Sequence, residues 1–263
     1  GFDLIPIIDN NQKLVDLVLW RKVFKNDKKR NGISKLKIPV VIMAGGRGTR
    51  LEPFTKILPK PLVPIQEKPI IEHIIERFNI LGCQNFYLTV NYKSHILKAY
   101  FKELQPKYKI QFIEETQPLG TAGSLKFLSD KINSSFIVTN CDIIIDENYA
   151  DIYKYHQKYK FDATVVVSMK NHIIPYGTCE LDNKGYLKKI IEKPKFDFLI
   201  NTGFYILSKE MIDIIPKNKL YHMTDLLSDA KKHKLKIGVY PIREEKWIDI
   251  GQWSEYHKAI EKL

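Results

Sequence analysis

Cysteine is scarce in this chain, with only Cys83, Cys141 and Cys179 among 263 residues. An odd number at wide spacing excludes a disulfide framework and a cysteine-ligated zinc site, and it fits a reducing, cytoplasmic setting. Long apolar runs are missing too. The longest, Ile143-Ile144-Ile145 and residues 163–167, fall far short of the ~20 residues a bilayer demands, so no membrane association is expected. The seven histidines have no paired spacing and are read as non-catalytic. Negative charge is in deficit: 30 Asp and Glu stand against 42 Lys and Arg, giving a net charge of +12 and a pI near 9.3. Such a balance invites a nucleic-acid reading. The lysines, however, are spread over nearly every segment, and the one local run, residues 25–30, has no interleaved aromatics of the kind single-strand binders use. A solvated Lys-rich surface that favours a small polyanionic substrate is the better account, and no nucleic-acid partner is expected.

What is present suits one large core, since 44% of residues are hydrophobic. From Ile38 onward short apolar runs alternate with amphipathic ones, the pattern of a layered α/β domain. Strands are predicted over residues 39–44, 86–90, 110–113 and 135–139, and residues 163–207 read as strand-rich. Asp182-Asn183-Lys184-Gly185 supplies a hairpin turn within that stretch. Helices are predicted over 69–81, 94–104, 121–128 and 149–159. In the first of these Ile70, Ile71, Ile74, Ile75 and Phe78 share a face and Gly82 acts as a stop, and Ser94 is expected to cap the second.

Directly after the first of these strands runs A-G-G-R-G-T-R-L-E-P-F-T, residues 44–55. Gly45, Gly46 and Gly48 free the backbone to aim successive amides at phosphate oxygens. A Walker loop is excluded because no G-K-[ST] closes the segment. A dinucleotide fingerprint is excluded because Leu51 and then Pro53 stand where a third glycine would open a helix. Arg47, Arg50, Lys56 and Lys60 lie among these glycines and the prolines that follow, giving fixed cations for a triphosphate. Further along, Asp142 ends an apolar strand and Asp249 lies in W-I-D-I-G. Two such carboxylates can clamp one Mg²⁺ together with phosphate oxygens and water.

The run G-G-R-G-T-R-L-E-P-F-T followed by L-P-K-P-L-V-P-I resembles the signature of the sugar nucleotidyltransferases, and later motifs match in order across residues 38–263. The resemblance implies a Rossmann-like (GT-A-type) layered sandwich with a mixed, largely parallel central sheet flanked by helices. It also implies that a nucleoside triphosphate and a sugar 1-phosphate are the substrates, giving a nucleotide-sugar and pyrophosphate, with Mg²⁺ as cofactor. Residue by residue, Ala44, Gly45, Gly46, Gly48 and Thr49 would hold the nucleotide, Arg50 the departing pyrophosphate, and Lys60 phosphates at the reaction centre. Asp142 and Asp249 would be the metal ligands, although Asn140-Cys141 and Gln252 depart from the family's usual neighbours. Residues 114–124 are similar to its nucleobase loop, with Glu115, Pro118 and Gly120 at the base. Where uridylyl and thymidylyl members commonly carry Gln, this chain has Glu115, which only accepts hydrogen bonds and so suits the two parallel donors of guanine. GTP is therefore expected. Gly177, Glu192, Asn201 and Thr202 match sugar-binding pieces, and Lys193 would hold the sugar phosphate.

Residues 1–24, with I-P-I-I-D-N-N-Q-K-L-V-D-L-V, resemble the last two strands and final helix of a CBS module. Leu19-Trp20-Arg21-Lys22 stand where that family carries Thr and an Arg-Arg-Asp-like stretch, so its ribose-binding carboxylate is missing. Residues 25–37 read as a polar linker. A CBS remnant ahead of a guanylyl-type loop resembles the glucosamine-1-phosphate guanylyltransferases of legionaminic acid biosynthesis. The alternatives are mannose- or heptose-1-phosphate guanylyltransferases, a uridylyl- or thymidylyltransferase, and, from another class, a catalytically silent regulatory subunit. The charged set argues against the last. A homo-oligomer is compatible with the sequence.

Overall fold

The computed structural model describes residues 4–8, 14–19 and 35–262. At the N-terminus β1 (Leu4–Ile8) and β2 (Leu14–Leu19) form an antiparallel pair, with Leu4 opposite Leu19. Residues 9–13, the expected final helix of the CBS remnant and most of the expected linker lie outside the described residues.

The main sheet uses β3 (Val40–Met43), β6 (Asn85–Val90), β7 (Lys109–Glu114), β8 (Phe136–Asn140), β10 (Ala163–Ile173), β13 (Lys195–Leu207) and β14 (Ile237–Ile242). Their order across the sheet is β14-β10-β13-β8-β3-β6-β7. Only β13 runs antiparallel to its neighbours, and every other pairing is parallel. Short two-stranded ladders join β4 (Pro64–Ile65) to β5 (Lys68–Pro69), β9 (Ile143–Ile145) to β15 (Trp247–Asp249), and β11 (Thr178–Leu181) to β12 (Leu187–Ile191). The expected mixed, mostly parallel α/β architecture is what the chain adopts.

Alternation along the strands builds two cores, one on each face of the sheet. Val40, Ile42, Ile137, Val166 and Phe204 pack on one side with the helix Ile70–Ile80, whose Ile70, Ile71, Ile74, Ile75 and Phe78 are all buried. Val41, Val138, Val165 and Tyr205 pack on the other with Leu226 and Ala230 of the helix Met223–Lys232. At roughly 25 cal/mol per Å² of apolar surface, these two layers supply the main stabilising term. Gly82 has φ +96°, the left-handed residue that ends a helix, as its position suggested.

Two local expectations need correcting. Ser94 does not cap the helix Ser94–Leu104: it is the first helical residue, and the left-handed Lys93 occupies the cap without a side-chain bond. The Lys93 ammonium reaches back to the Thr55 carbonyl at 3.4 Å, which ties that turn to the nucleotide-side loop. Residues 121–128 do not form an α-helix either, but a 3-10 turn over Gly123–Leu128. Its start is pinned elsewhere: the Ala122 and Gly123 amides both donate to the Tyr221 carbonyl, and the Thr121 hydroxyl accepts from the Met223 amide at 2.9 Å. These contacts fix where the turn begins, because the first N–H groups of a helical segment need partners outside it.

Candidate active site

The glycine segment leaves the C-terminal end of β3, where the Ala44 amide donates to the Thr89 carbonyl at 2.9 Å. Gly48 takes φ +68°, and a Cβ there would sit 2.9 Å from Lys60 Cβ and 3.0 Å from Thr55 Cγ2. Glycine at this point is what allows the Lys60 stem to lie against the loop. The Thr55 hydroxyl donates to the Gly48 carbonyl at 2.9 Å and fixes the turn. Lys60 itself stands between Pro59 and Pro61 in a 3-10 turn, Lys60–Leu62, and is only 7% exposed. Its ammonium donates to Asp142 Oδ2. Gly46 has open space around it, while Arg47 and Thr49 are exposed.

Asp142 and Asp249 are brought together by the ladder of β9 with β15, in which Asp249 pairs with Ile143 and the Ile250 amide donates to the Asp142 carbonyl at 2.7 Å. Gly251 is the floor of this cluster. A Cβ on it would lie 2.8 Å from Asp249 Oδ1 and 3.2 Å from both Asp142 Oδ2 and Arg50 Nη2. The Gly251 amide donates to Asp249 Oδ1 at 2.8 Å. Burial raises the Asp249 pKa above the ordinary carboxylate value, and the charge of Asp142 raises it further, while the Gly251 amide, Lys60 and Arg50 pull it back. The neighbouring Cys141 thiol is pushed up to about 12 by burial and by Asp142, which leaves it inert as a nucleophile. All three cysteines are free.

Arg50, Asp142 and Asp249 border a cleft of about 400 Å³. Its far wall is β13 at Asn201, Thr202, Gly203 and Tyr205, with Asn140, Thr224 and Trp247 completing the polar lining. The register of β10 and β13 slips here, from Val166 opposite Phe204 to Val167 opposite Asn201. The Thr202 hydroxyl donates to the Val166 carbonyl at 2.8 Å within this bulge, so it holds the wall in place and is not free for a ligand. Asn201 donates to the Tyr205 hydroxyl at 2.6 Å and accepts from the Gly203 amide at 3.1 Å, so its orientation is fixed.

A second group lies at the ends of β6 and β7. A Cβ on Gly45 would come within 3.2 Å of Glu115 Oε1 and 3.5 Å of Asn91, so the glycine segment and the expected base loop meet. The Asn91 amide donates to the Glu115 carbonyl at 2.7 Å, and the Leu119 backbone amide donates to the Glu115 carboxylate at 3.3 Å. Burial raises the Glu115 pKa, and the Leu119 amide opposes that rise. Pro118 is exposed. Gly120 has φ +79°, and a Cβ there would meet the Tyr221 carbonyl at 2.6 Å. Its missing side chain lets the loop pack on residues 219–222.

Not every expected residue joins these groups. Gly177 and Glu192 do meet, a Cβ on Gly177 falling 3.0 Å from Glu192 Oε2, because Thr178 pairs with Ile191. That pair and the exposed, left-handed Lys193 stand at the base of the exposed β11–β12 hairpin and do not line the cleft. Conversely, Asn91, Tyr205 and Gly251 were not singled out from sequence. Gly251 had a signal, being two residues after Asp249 in one motif, but Asn91 and Tyr205 acquire their places only through strand register. Among the described residues no three His, Cys, Asp or Glu side chains cluster as metal ligands, and no helix is long and apolar enough to cross a membrane.

Comparison with known proteins identifies the family of the chain. The model of the family described as "Nucleotidyl transferase" matches residues 39–263. The chain is 33% identical over 230 residues to the probable mannose-1-phosphate guanylyltransferase 2 of Oryza sativa subsp. japonica, covering 82% of this chain and 62% of that protein. It is 36% identical over 226 residues to the mannose-1-phosphate guanyltransferase of Yarrowia lipolytica, covering 82% and 61%. The chain thus spans about three-fifths of the length of these curated relatives, 61–62%. Among solved structures, HddC from Yersinia pseudotuberculosis superposes with a TM-score of 0.67 at 31% identity, covering 86% of this chain and 99% of that one. The same protein complexed with GMP-PN gives a TM-score of 0.66 at 32% identity, with the same coverage. With the family model matching residues 39–263 and HddC superposing on the fold, the chain belongs to the nucleotidyl transferase family.

Proposed function

We propose that this chain transfers a guanylyl group from GTP to the phosphate of a hexose 1-phosphate, yielding a GDP-hexose and pyrophosphate. The observation that carries the reading is the meeting of Arg50, Asp142 and Asp249 at one cleft, with Lys60 bound to Asp142, beside a glycine segment whose Gly45 lies against Glu115. A sugar phosphate oxygen is already a nucleophile, so no base and no covalent intermediate are required. The chain's task is to align two polyanions and to stabilise charge on the equatorial and leaving oxygens of the α-phosphate. Arg50 would take the departing pyrophosphate, and Lys193, carried on the hairpin, would bring the sugar phosphate in and offset its repulsion from the nucleotide. Glu115 would accept from the guanine edge; the HddC complex with GMP-PN and the guanylyltransferase relatives support that choice of base.

The acidic pair fits Mg²⁺: its donors are two carboxylates with no sulfur or imidazole, and burial together with the charge of Asp142 lifts the pKa of Asp249, a cost that a cation relieves. When bound, the ion would neutralise phosphate oxygens of the nucleotide. Asp142 and Asp249 would hold it, and Gly251 keeps space open between them and Arg50.

For the sugar, glucosamine 1-phosphate is the first reading, supported by the resemblance of residues 1–24 to a CBS module and of the whole to the legionaminic acid enzymes, a cytoplasmic biosynthetic setting. Mannose 1-phosphate is an equally supported second reading, because relatives at 33–36% identity carry that sugar in their names. Pyrophosphate release from GTP and Mg²⁺ with a panel of hexose 1-phosphates tests both. Turnover with one of the two is expected, and no turnover with any sugar phosphate would sink the enzyme reading.

A further inference from the structure

Lys60 faces the wrong partner for a lysine whose only task is to grip phosphate. Its ammonium is spent on Asp142 Oδ2, and both residues are nearly buried, at 7% and 9% exposure. The two carboxylates are treated unequally. Asp142 has the lysine, whereas Asp249 has the Gly251 amide at 2.8 Å. A carboxylate this buried needs a cation or several donors, since an uncompensated charge in low dielectric is costly. The lysine stem is anchored along the loop, and its tip is held by Asp142. Pro59 and Pro61 fix the backbone, and Lys60 Cβ and Cδ would lie 2.9 and 3.2 Å from a Cβ on Gly48, so the methylenes run along the glycine segment. Rotation about the outer side-chain torsions can therefore redirect the ammonium without moving the stem that lies against the glycine segment.

Resting on the reading of Asp142 and Asp249 as cation ligands, we propose that Lys60 is the resident counter-ion of the acidic pair. It neutralises Asp142 in the nucleotide-free chain, and an arriving divalent cation displaces it, freeing its ammonium for the nucleotide phosphates. A doubly charged ion at the same oxygen outcompetes one ammonium and repels it. Two consequences follow from linkage. Lys60 weakens cation binding to the empty chain, and a triphosphate that gives the displaced ammonium a new partner strengthens it, so cation and nucleotide bind cooperatively. Lys60 would thereby keep the acidic pair from being filled before substrate is present.

The test is Mn²⁺ binding to the nucleotide-free chain, followed by electron paramagnetic resonance of the free ion, for wild type and Lys60→Met. Removal of the competitor is expected to tighten Mn²⁺ binding by about tenfold, the scale of coupling between directly interacting groups. Equal or weaker binding in Lys60→Met, with measurable binding in wild type, overturns the counter-ion role and leaves the metal reading intact. Binding by neither chain overturns both. Should Lys60→Met fail to fold by circular dichroism, the wild-type chain carries the test through acetylation mapped by mass spectrometry. Mg²⁺, under conditions where Mn²⁺ resonance shows the site occupied, is expected to raise labelling of Lys60 several-fold and leave that of the exposed Lys56 unchanged. Unchanged labelling of Lys60 overturns the proposal.

Discussion

β10 and β13 run side by side for their whole length, yet their two halves live in different surroundings. Residues 163–168 of β10 and 202–207 of β13 are almost wholly buried, with β14 and β8 completing the sheet on either side. Beyond the bulge at Thr202-Gly203 the same strands leave the sheet as a two-stranded arm that exposes Ile173, Phe196, Phe198 and Leu199. The arm leads through the β11–β12 hairpin, and Gly177, Glu192 and Lys193 lie on this excursion. The difference separates two kinds of work. Carboxylates that must be held in place, Asp142 and Asp249, and the backbone that carries Lys60 stand at the sheet end among two layers of core, where preorganisation is worth most. Residues expected to meet the sugar phosphate ride on a ribbon with few neighbours, the arrangement from which mobile binding elements are drawn.

The sharpest break of that comparison comes at the sheet end. Asp249→Asn is expected to lower kcat on the order of a thousandfold, the scale for removing one preorganised charge at a reaction centre, with the melting temperature held or raised because a strained buried charge is gone. Steady-state kinetics and thermal unfolding on the same sample check both halves of the statement. Next in size is the bulge itself. Gly203 has φ +82°, and a Cβ there would collide with Asn140 Nδ2; Gly203→Val is expected to cost roughly 2–3 kcal/mol in urea unfolding.

At the nucleotide end, Glu115→Gln is expected to erode the preference for GTP over UTP by about tenfold to a hundredfold in kcat/KM, the scale for mismatching one buried polar contact. On the arm, Lys193→Ala is expected to raise KM for the sugar phosphate by about tenfold with no change in melting temperature, since an exposed side chain carries little stability. A destabilised Lys193→Ala would mean the arm is packed after all. The smallest effect tests the buried half through His156, which packs beneath β10 with Nδ1 2.9 Å from the Thr164 hydroxyl. Burial lowers its pKa, with the Asp162 charge opposing. The folded chain therefore holds this ring neutral, and its contribution is complete above the ordinary histidine value of about 6.5 and is lost as pH falls toward the lowered one. Urea midpoints measured downward from neutral pH should decline in that window, and His156→Gln should flatten the decline.

Much of this was legible because it is periodic or local. The isoleucines of residues 70–75 declare a buried helical face, alternation with short apolar runs declares a layered sheet, and the glycine segment with its arginines declares phosphate chemistry before any fold is known. What could not be read depends on register across long separations. Lys60 and Asp142 are 82 residues apart, and nothing in either segment says that one neutralises the other. Asn91 and Tyr205 look like ordinary strand residues until β6 and β13 are laid in place. Thr202 and Gly120 carry a packing role that their motifs do not announce: the Thr202 hydroxyl is tied to Val166, and the bare Cα of Gly120 lies against Tyr221. Ser94 failed as a cap because a left-handed Lys93, held by Thr55, turns the chain first.

The central claim is transfer of a guanylyl group, and one competition measures it. With equal GTP, UTP and dTTP, Mg²⁺ and an equal mixture of glucosamine 1-phosphate and mannose 1-phosphate, the nucleotide-sugars formed are identified by mass spectrometry at early times. A GDP-hexose as the dominant product is predicted, and a UDP- or dTDP-hexose in its place would contradict the account.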